Sequence, residues 1–172
     1  MTQLAERQTV TFKGGTVTLV GNEVKVGDQA PNFTVLANNL TPVTLEDSKG
    51  SVRIISVVPS VDTGVCDAQT RRFNEEAANL GDVKILTVSV DLPFAQGRYC
   101  GAAGIENVQT LSDHRDLSFG HAYGVVIKEL RLLARATFVI DKNDKLVHVE
   151  YVPEVTTHPD YEAAIAAAKA AL

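Results

Sequence analysis

Val52-Arg53-Ile54-Ile55-Ser56-Val57-Val58 is the stretch that decides the fold of this chain. It is a nearly continuous apolar run, which is the pattern of a β-strand covered on both faces. A helical pattern follows from Cys66 to Leu80, and Gly81 is suited to end that helix. A second buried run extends from Val83 to Val90. Strand, helix and strand in this order predict a parallel βαβ unit with a right-handed crossover.

The regions on either side add β-hairpins and helices to this unit. Alternating β-branched residues around Gly14-Gly15 predict an N-terminal hairpin within residues 1–20. A late hairpin is expected from residues 136–141 and 146–151, and a closing helix from about Pro159. The apolar stripe of that last helix consists of Tyr161, Ala164, Ile165, Ala168 and Leu172. The resulting α/β fold, a central mixed β-sheet flanked by helices, resembles the order of a thioredoxin-like domain.

Shorter elements are expected between these landmarks. They are strands at residues 33–36, 43–45 and 108–111, a helix from about Pro93 to Cys100 that ends near Gly101 or Gly104, and a helical turn or two within residues 115–123. Neither a repeat nor a long linker interrupts the pattern. We therefore expect residues 1–172 to form one domain, with residues 1–20 as a hairpin extension.

Composition and charge exclude several classes of function. The apolar fraction of 45% and the charged fraction of 22% are those of an ordinary globular protein. The net charge of -5, without a run of Lys or Arg, argues against binding to nucleic acid or to an anionic membrane. The polar start of the sequence lacks the apolar stretch of a signal peptide, and no run approaches the ~20 apolar residues of a membrane span. These observations predict a cytoplasmic protein.

The two cysteines, Cys66 and Cys100, are too few for a structural disulfide framework. In a reducing compartment such cysteines are catalytic, redox-active or simply buried. The pair is not a CxxC arrangement, so their spacing gives no evidence of contact. For Cys100, a core-facing helix residue that never meets Cys66 is the alternative.

Cys66 lies where chemistry is expected in an open α/β sheet. The stretch from Pro59 to Asp67 connects the carboxyl end of a buried strand to the start of a helix. Unpaired backbone N–H groups and the helix dipole favour a thiolate at such a position. The Thr63 hydroxyl is close enough in sequence to bond the sulfur or an incoming oxygen, and Pro59 can shield the sulfur from water. The alternative is a small buried hydrophobic residue at a helix start.

The residues around Cys66 resemble a known active-site motif. Pro59-x-x-x-Thr63-x-x-Cys66 is similar to the motif of the peroxiredoxins, and the longer stretch Pro59-Ser-Val-Asp-Thr-Gly-Val-Cys66 resembles their thiol peroxidase subfamily. Further similar stretches are Arg71-Arg72-Phe73, Asp91 to Gly101, Ala134 to Asp141 and the N-terminal hairpin. The resemblance extends over essentially the whole chain.

The resemblance implies a role for five residues. Cys66 would be the peroxidatic cysteine, which attacks the peroxide and becomes a sulfenic acid. Thr63 would hydrogen-bond the thiolate and the peroxide, Pro59 would shield the sulfur, and Arg135 would stabilise the thiolate and polarise the O–O bond. Cys100 would be the resolving cysteine of the same chain, forming a Cys66–Cys100 disulfide after local unwinding of its helix.

Other arginines compete with Arg135 for the catalytic role. Without the resemblance, an arginine near a strand start is usually a surface charge or part of a structural ion pair. Arg131, Arg71 and Arg72 are the rival sources of positive charge, and Arg72 shares the predicted helix with Cys66.

No cofactor is expected from this sequence. It has no Gly-rich phosphate loop, and His114, His121, His148 and His158 lack the spacing of metal ligands. The resemblance implies a homodimeric antioxidant enzyme that reduces hydrogen peroxide and organic hydroperoxides, with thioredoxin as reductant.

Two other functions are compatible with a reactive cysteine on this fold. One is a thiol–disulfide oxidoreductase, although such an enzyme normally uses CxxC and position 63 is Thr. The other is a peroxide-sensing switch in which a disulfide alters a surface.

Overall fold

The computed structural model describes residues 4–172, which form two β-sheets and four α-helices. The strands are β1 (Glu6–Phe12), β2 (Gly15–Val20), β3 (Thr34–Leu36), β4 (Pro42–Thr44), β5 (Val52–Val57), β6 (Val83–Ser89), β7 (Gln109–Ser112), β8 (Val126–Ile127), β9 (Leu132–Leu133), β10 (Ala136–Ile140) and β11 (Leu146–Tyr151). The helices are α1 (Gly64–Leu80), α2 (Pro93–Ala103), α3 (Ser118–Tyr123) and α4 (Tyr161–Ala170), and a 3-10 turn spans Leu45–Ser48.

A seven-stranded mixed sheet forms the centre of the fold. Its strand order is β11-β10-β5-β6-β7-β3-β4. The neighbours β5, β6 and β7 are parallel, whereas β10, β11, β3 and β4 pair antiparallel. The predicted strand, helix and strand of residues 52–90 are therefore confirmed, as are the mixed sheet and the late hairpin.

The sheet separates two apolar layers, which explains why β5 is buried along its whole length. Ile54 packs with Phe73 of α1 and Ala164 of α4 on one face. The next residue, Ile55, belongs to the cluster on the other face, because successive strand side chains point in opposite directions. Each fully buried aliphatic side chain of this kind contributes about 1.5–3 kcal/mol to folding.

The N-terminal hairpin is the edge of a second sheet with the order β1-β2-β8-β9. Phe12 pairs with Gly15, so the turn contains only Lys13 and Gly14, both at positive φ. This is the two-residue turn that suits the twist of a hairpin. The strands β8 and β9 were not predicted, because two residues each are too short to show a periodic pattern.

The predicted ends of α2 and α3 agree with the structure, and the start of α4 differs by two residues. Helix α2 continues to Ala103, and Gly104 ends it in the left-handed conformation. Helix α3 begins only at Ser118, and α4 begins after Asp160, whose side chain accepts a hydrogen bond from the Ala163 amide. The prediction that Leu172 belongs to the buried stripe of α4 is wrong. Helix α4 ends at Ala170, and Leu172 is 50% exposed beyond it.

Within residues 4–172, no helix combines the length and the apolar character that crossing a membrane requires.

Candidate active site

Cys66 lies in the first turn of α1, immediately after the loop that leaves β5. The first hydrogen bond of this helix runs from the Asp67 amide to the Thr63 carbonyl, at 2.8 Å. The amides of residues 64–66 precede that bond, so the helix provides them with no acceptor. Together with the helix dipole they favour negative charge at this end of α1.

The Cys66 side chain is fully enclosed. It is 0% exposed and forms a small apolar cluster with Val58 and Val61, against which the ring of Tyr99 packs. Pro59 is also buried in the loop after β5. The sulfur is therefore shielded from bulk water by this loop and by α2.

Arg135 is the polar group that reaches the sulfur. It lies just before β10, the neighbour of β5 in the sheet, and is 2% exposed. Its Nη2 donates to Cys66 Sγ at 3.3 Å. Its Nη1 donates to Gln69 Oε1 at 2.8 Å, and its Nε donates to the Val155 carbonyl at 2.7 Å. All three guanidinium nitrogens are thus held in one orientation.

The buried guanidinium of Arg135 has no carboxylate partner. None of the ion pairs found in residues 4–172 includes Arg135. Burying a charge without an opposite charge is costly, so a buried cation favours an anion at its contact atoms. The neighbouring atom that can carry negative charge is Cys66 Sγ. The geometry therefore places a positive charge against Cys66 Sγ.

The three other arginines considered for the catalytic role contact groups other than Cys66. Arg71 and Arg72 form ion pairs with carboxylates on the surface of α1 and α4, and Arg131 donates to the backbone carbonyl of His114. In the described contacts, none of them touches the sulfur.

The Thr63 side chain is in a different position from the one predicted. Thr63 is the N-cap of α1 in an extended conformation, and its hydroxyl faces the Ser60 carbonyl at 3.5 Å rather than Cys66. The residue is exposed at the edge of the loop. In this conformation its hydroxyl makes no bond to the sulfur.

Comparison with known proteins identifies the family. The sequence pattern of the redoxin family matches residues 25–165. A thiol peroxidase from Halalkalibacterium halodurans is 76% identical over 163 residues, which cover 95% of this chain and 98% of that protein. A thiol peroxidase from Bacillus subtilis is 71% identical over 161 residues, covering 94% and 96%. The chain belongs to the thiol peroxidases of the redoxin family.

The crystal structure of a peroxiredoxin-like protein from Aquifex aeolicus supports the same assignment. It is 41% identical, covers 99% of this chain and 100% of its own, and superposes with a TM-score of 0.90. The predicted thioredoxin-like α/β fold is thereby confirmed for this redoxin. It is an enzyme of the peroxiredoxin type.

In this redoxin Cys100 is free, like Cys66. It lies on α2 and packs against the cluster formed by α1, α4 and one face of the sheet, not against the cluster of Cys66. Its sulfur lies 3.4 Å from the Thr110 hydroxyl, which itself donates to Asn38 Oδ1 at 3.0 Å. The structure thus holds Cys100 in an environment of its own.

Helix α2 of the redoxin is attached to α1 by polar contacts next to Cys100. Tyr99 Oη donates to Asp67 Oδ1 at 2.5 Å, and Arg71 donates both to Asp67 and to the Ala103 carbonyl. Partial burial acts to raise the pKa of Asp67, but the hydrogen bonds from Tyr99 and Arg71 lower it below its ordinary value. Burial and the bond to Asp67 raise the pKa of Tyr99 above its ordinary range.

Sequence reasoning missed Gln69, Val155 and Tyr99 in this site. Gln69 is fully buried, and besides accepting from Arg135 it donates to Ser56 Oγ at 2.7 Å. The available signal was its position three residues after Cys66, on the same face of α1. Val155 acts through its backbone carbonyl, which no residue pattern reveals.

Two cavities border the loop of the redoxin site. One of about 360 Å³ is lined by residues that include Thr63, Asp67 and Tyr99. The other, of about 750 Å³, is lined by residues that include Ser60, Leu92 and Phe94. Across residues 4–172, no three His, Cys, Asp or Glu side chains come together as a metal site.

Proposed function

We propose that this enzyme reduces hydrogen peroxide and organic hydroperoxides through the Cys66 thiolate. The resulting sulfenic acid condenses with Cys100, and a dithiol protein of the thioredoxin type reopens the disulfide. The observation that carries the proposal is the 3.3 Å contact between Arg135 Nη2 and Cys66 Sγ, in a buried site where the guanidinium has no carboxylate partner.

In the first step Cys66 Sγ attacks the terminal oxygen of the peroxide. An S–O bond forms, the O–O bond breaks, and the electron pair of the O–O bond leaves with the departing oxygen. Sulfur is oxidised by two electrons and the peroxide is reduced to an alcohol or to water after protonation. Arg135 stabilises the thiolate before the attack and the charge on the leaving oxygen during it. We assign to Thr63, at the rim of the loop, a hydrogen bond to the incoming peroxide, for which its hydroxyl must turn from the Ser60 carbonyl.

In the second step the Cys100 thiol attacks the sulfenic sulfur, an S–S bond forms and water leaves. The third step is thiol–disulfide exchange: an external dithiol is oxidised while Cys66 and Cys100 return to thiols. The second step requires α2 to open, because Cys100 rests in a different cluster from Cys66. Gly97, Gly101 and Gly104 give that part of the chain the backbone freedom to unwind.

Access of the peroxide depends on the loop between β5 and α1. Cys66 has no exposed surface, so the oxidant must enter where residues 60–63 border the two cavities. Leu92 and Phe94 line the larger cavity and are 53% and 67% exposed. This apolar rim favours organic hydroperoxides with apolar substituents.

The enzyme is further proposed to be a single-domain cytoplasmic protein that forms a homodimer, with each site completed by its own subunit. Arg135 reaches Cys66 of the same chain, which supports a site completed by its own subunit. The free state of both cysteines fits the reducing environment of the cytoplasm and supports the location.

Reaction of the reduced wild type, Cys66→Ser and Cys100→Ser with a few equivalents of peroxide tests the proposal. Peroxide loss and intact mass are followed together. The wild type is expected to consume peroxide and to lose about two mass units, as one disulfide requires. Cys66→Ser should be inert, and Cys100→Ser should gain one oxygen but fail to turn over with thioredoxin.

Three outcomes would contradict this scheme. A reactive Cys66→Ser would remove the peroxidatic role, and undiminished turnover of Cys100→Ser with thioredoxin would remove the resolving role. A single oxidation that thioredoxin cannot reverse would instead indicate a peroxide-sensing switch.

A further inference from the structure

The N-terminal hairpin packs against the segment that follows β11. This hairpin, residues 6–20, lies outside the part of the chain that matches the redoxin family, residues 25–165. Thr11 of β1 pairs with Glu154 in a parallel β-bridge, and the Thr11 amide donates to the Pro153 carbonyl at 2.8 Å. The hairpin is therefore joined to residues 153–155 by backbone hydrogen bonds.

Val155 connects the hairpin directly to the active-site arginine. Its amide donates to the Thr11 carbonyl at 2.9 Å, and its carbonyl accepts from Arg135 Nε at 2.7 Å. The opposite end of the same guanidinium touches Cys66 Sγ. A displacement of Val155 relative to the sheet therefore moves the group that touches the sulfur.

The Glu154 side chain adds further hydrogen bonds between residues 153–156 and the hairpin. Its Oε1 accepts from the Gly14 amide at 2.7 Å and from the Thr11 hydroxyl at 2.9 Å. Its Oε2 accepts from the Thr156 hydroxyl at 2.6 Å and amide at 2.8 Å, and from the Lys13 amide at 3.2 Å. Hydrogen bonds from Thr156 and from Gly14 lower the pKa of Glu154 to about 2. The carboxylate is thus ionised at neutral pH and joins the hairpin turn to the segment.

We propose that Glu154 is a positioning residue for the peroxidase reaction: by fixing residues 153–156 on the N-terminal hairpin, it holds the Val155 carbonyl and, through it, Arg135 against Cys66. The inference rests on the proposed role of Arg135. It gives the hairpin a function in catalysis, although no atom of the hairpin touches the sulfur in the described contacts.

The effect of Glu154 on the oxidation rate depends on the orientation of the Arg135 guanidinium and not on the presence of its charge. A guanidinium donates in fixed directions, and Arg135 uses all three of its nitrogens. If the Val155 carbonyl is displaced, Arg135 Nε loses its acceptor and the guanidinium can rotate away from Cys66 Sγ. Misplacement of about 1 Å near reacting atoms can reduce a rate by as much as about a hundred-fold.

The test measures the rate constant of the first oxidation of Cys66 in single-turnover mixing with hydrogen peroxide. Glu154→Gln is the main variant. Each carboxylate oxygen accepts from N–H groups, so an amide NH₂ at either place faces a donor. Thr11→Val is a milder second variant that removes one hydroxyl donor. Glu6→Gln is the control, since Glu6 lies on the same hairpin but pairs with Lys128.

We expect Glu154→Gln to lower the oxidation rate about ten-fold and Thr11→Val to lower it by a smaller factor, while Glu6→Gln stays within about two-fold. The same changes are then made in an Arg135→Lys background. There Glu154→Gln is expected to have an effect of less than about two-fold, because the group it positions is already absent. Melting temperatures confirm that each variant is folded.

Two results would overturn the inference. One is a wild-type oxidation rate in folded Glu154→Gln. The other is an equal loss of rate in the Arg135→Lys background, which would show that Glu154 acts through general stability. Both differ from failure of the proposed function, which would appear as an inert wild type or a reactive Cys66→Ser.

Discussion

The hydroxyl of Tyr99 donates a 2.5 Å hydrogen bond to the carboxylate of Asp67, joining α2 to α1 one residue before Cys100. No residue from Gly97 to Gly104 is fully buried, and Tyr99, Cys100 and Ala103 pack against the apolar clusters with only part of their surface. The polar contacts of this half of α2 are those of Tyr99, of Cys100 with Thr110 and of Arg71 with the Ala103 carbonyl. Since the apolar contacts are partial, these polar contacts contribute to how readily the segment opens.

Tyr99→Phe is expected to accelerate disulfide formation between Cys66 and Cys100. It removes a hydrogen bond to a charged acceptor in a partly exposed position, so we expect the step to become about three- to ten-fold faster. Rapid quenching after one equivalent of peroxide, followed by intact mass, measures the conversion of sulfenic acid to disulfide. Tyr161→Phe is the matched control, because that hydroxyl bonds His158 and does not touch α2. An unchanged rate in Tyr99→Phe would show that this bond does not limit opening.

Gln69→Met is expected to slow the first oxidation of Cys66 by about ten- to a hundred-fold. The variant keeps the volume of the side chain but leaves Arg135 Nη1 without its acceptor. The guanidinium then loses one of the three hydrogen bonds that orient it. Gln96→Met provides the control, since Gln96 is equally buried but bonds Ser89 and the Leu111 carbonyl. Similar losses of oxidation rate in both variants would contradict a specific role of Gln69.

Arg135→Lys is expected to reduce the rate of the first oxidation by about a hundred-fold or more. Lysine keeps the charge, but it cannot donate to Cys66, Gln69 and Val155 from one rigid plane. Stopped-flow measurement of peroxide consumption by the reduced protein determines the effect. Arg131→Lys, which changes an exposed arginine, should match the wild type. A variant Arg135→Lys with the wild-type rate would refute the assigned role.

Asp113 is expected to contribute more to the stability of the folded enzyme in mild acid than at neutral pH. Burial raises the pKa of Asp113 to about 6, although the amides of Gly120 and Phe119 donate to its carboxylate. Because the pKa is higher in the folded state, its contribution to stability is complete below pH ~4 and is lost as the pH rises through about 6. The shift of about two units corresponds to about 3 kcal/mol at most.

Urea unfolding of the wild type and Asp113→Asn between pH 4 and pH 7.5 measures this contribution. The difference in unfolding free energy between the two proteins should shift in favour of the wild type as the pH falls. Burial lowers the pKa of His121 and His148, so their contribution to the unfolding free energy decreases as the pH falls. Both histidines are present in both proteins, and their contributions therefore cancel in the difference. A difference that is constant with pH would contradict the raised pKa. Asp116→Asn, an exposed neighbour, is the control.

The sequence was sufficient to predict the parts of the fold that have a regular pattern. The apolar run of β5, the helical face around Phe73 and the turn at Gly14 each follow from local chemistry, and they place Cys66 at the start of α1. Arg135 was assigned through resemblance, and the structure brings it to the sulfur.

The remaining parts depend on contacts between distant residues. Gln69 meets Arg135 across 66 positions of sequence, and Val155 contributes only a backbone carbonyl. The strand β8 forms because β2 provides hydrogen-bonding partners beside it, and β9 pairs in turn with β8. The position of the Thr63 hydroxyl depends on the side-chain rotamer, which the spacing of residues along the chain does not determine.

The bond between Thr11 and Val155 also sets an order of events during synthesis. The hairpin is translated early, yet its partner segment emerges only after most of the chain has left the ribosome. Cys66 likewise emerges before Arg135, so on the growing polypeptide it is a thiol without its cationic neighbour. The contact between Arg135 and Cys66, and the hairpin bond that lies behind it, can therefore form only late in synthesis.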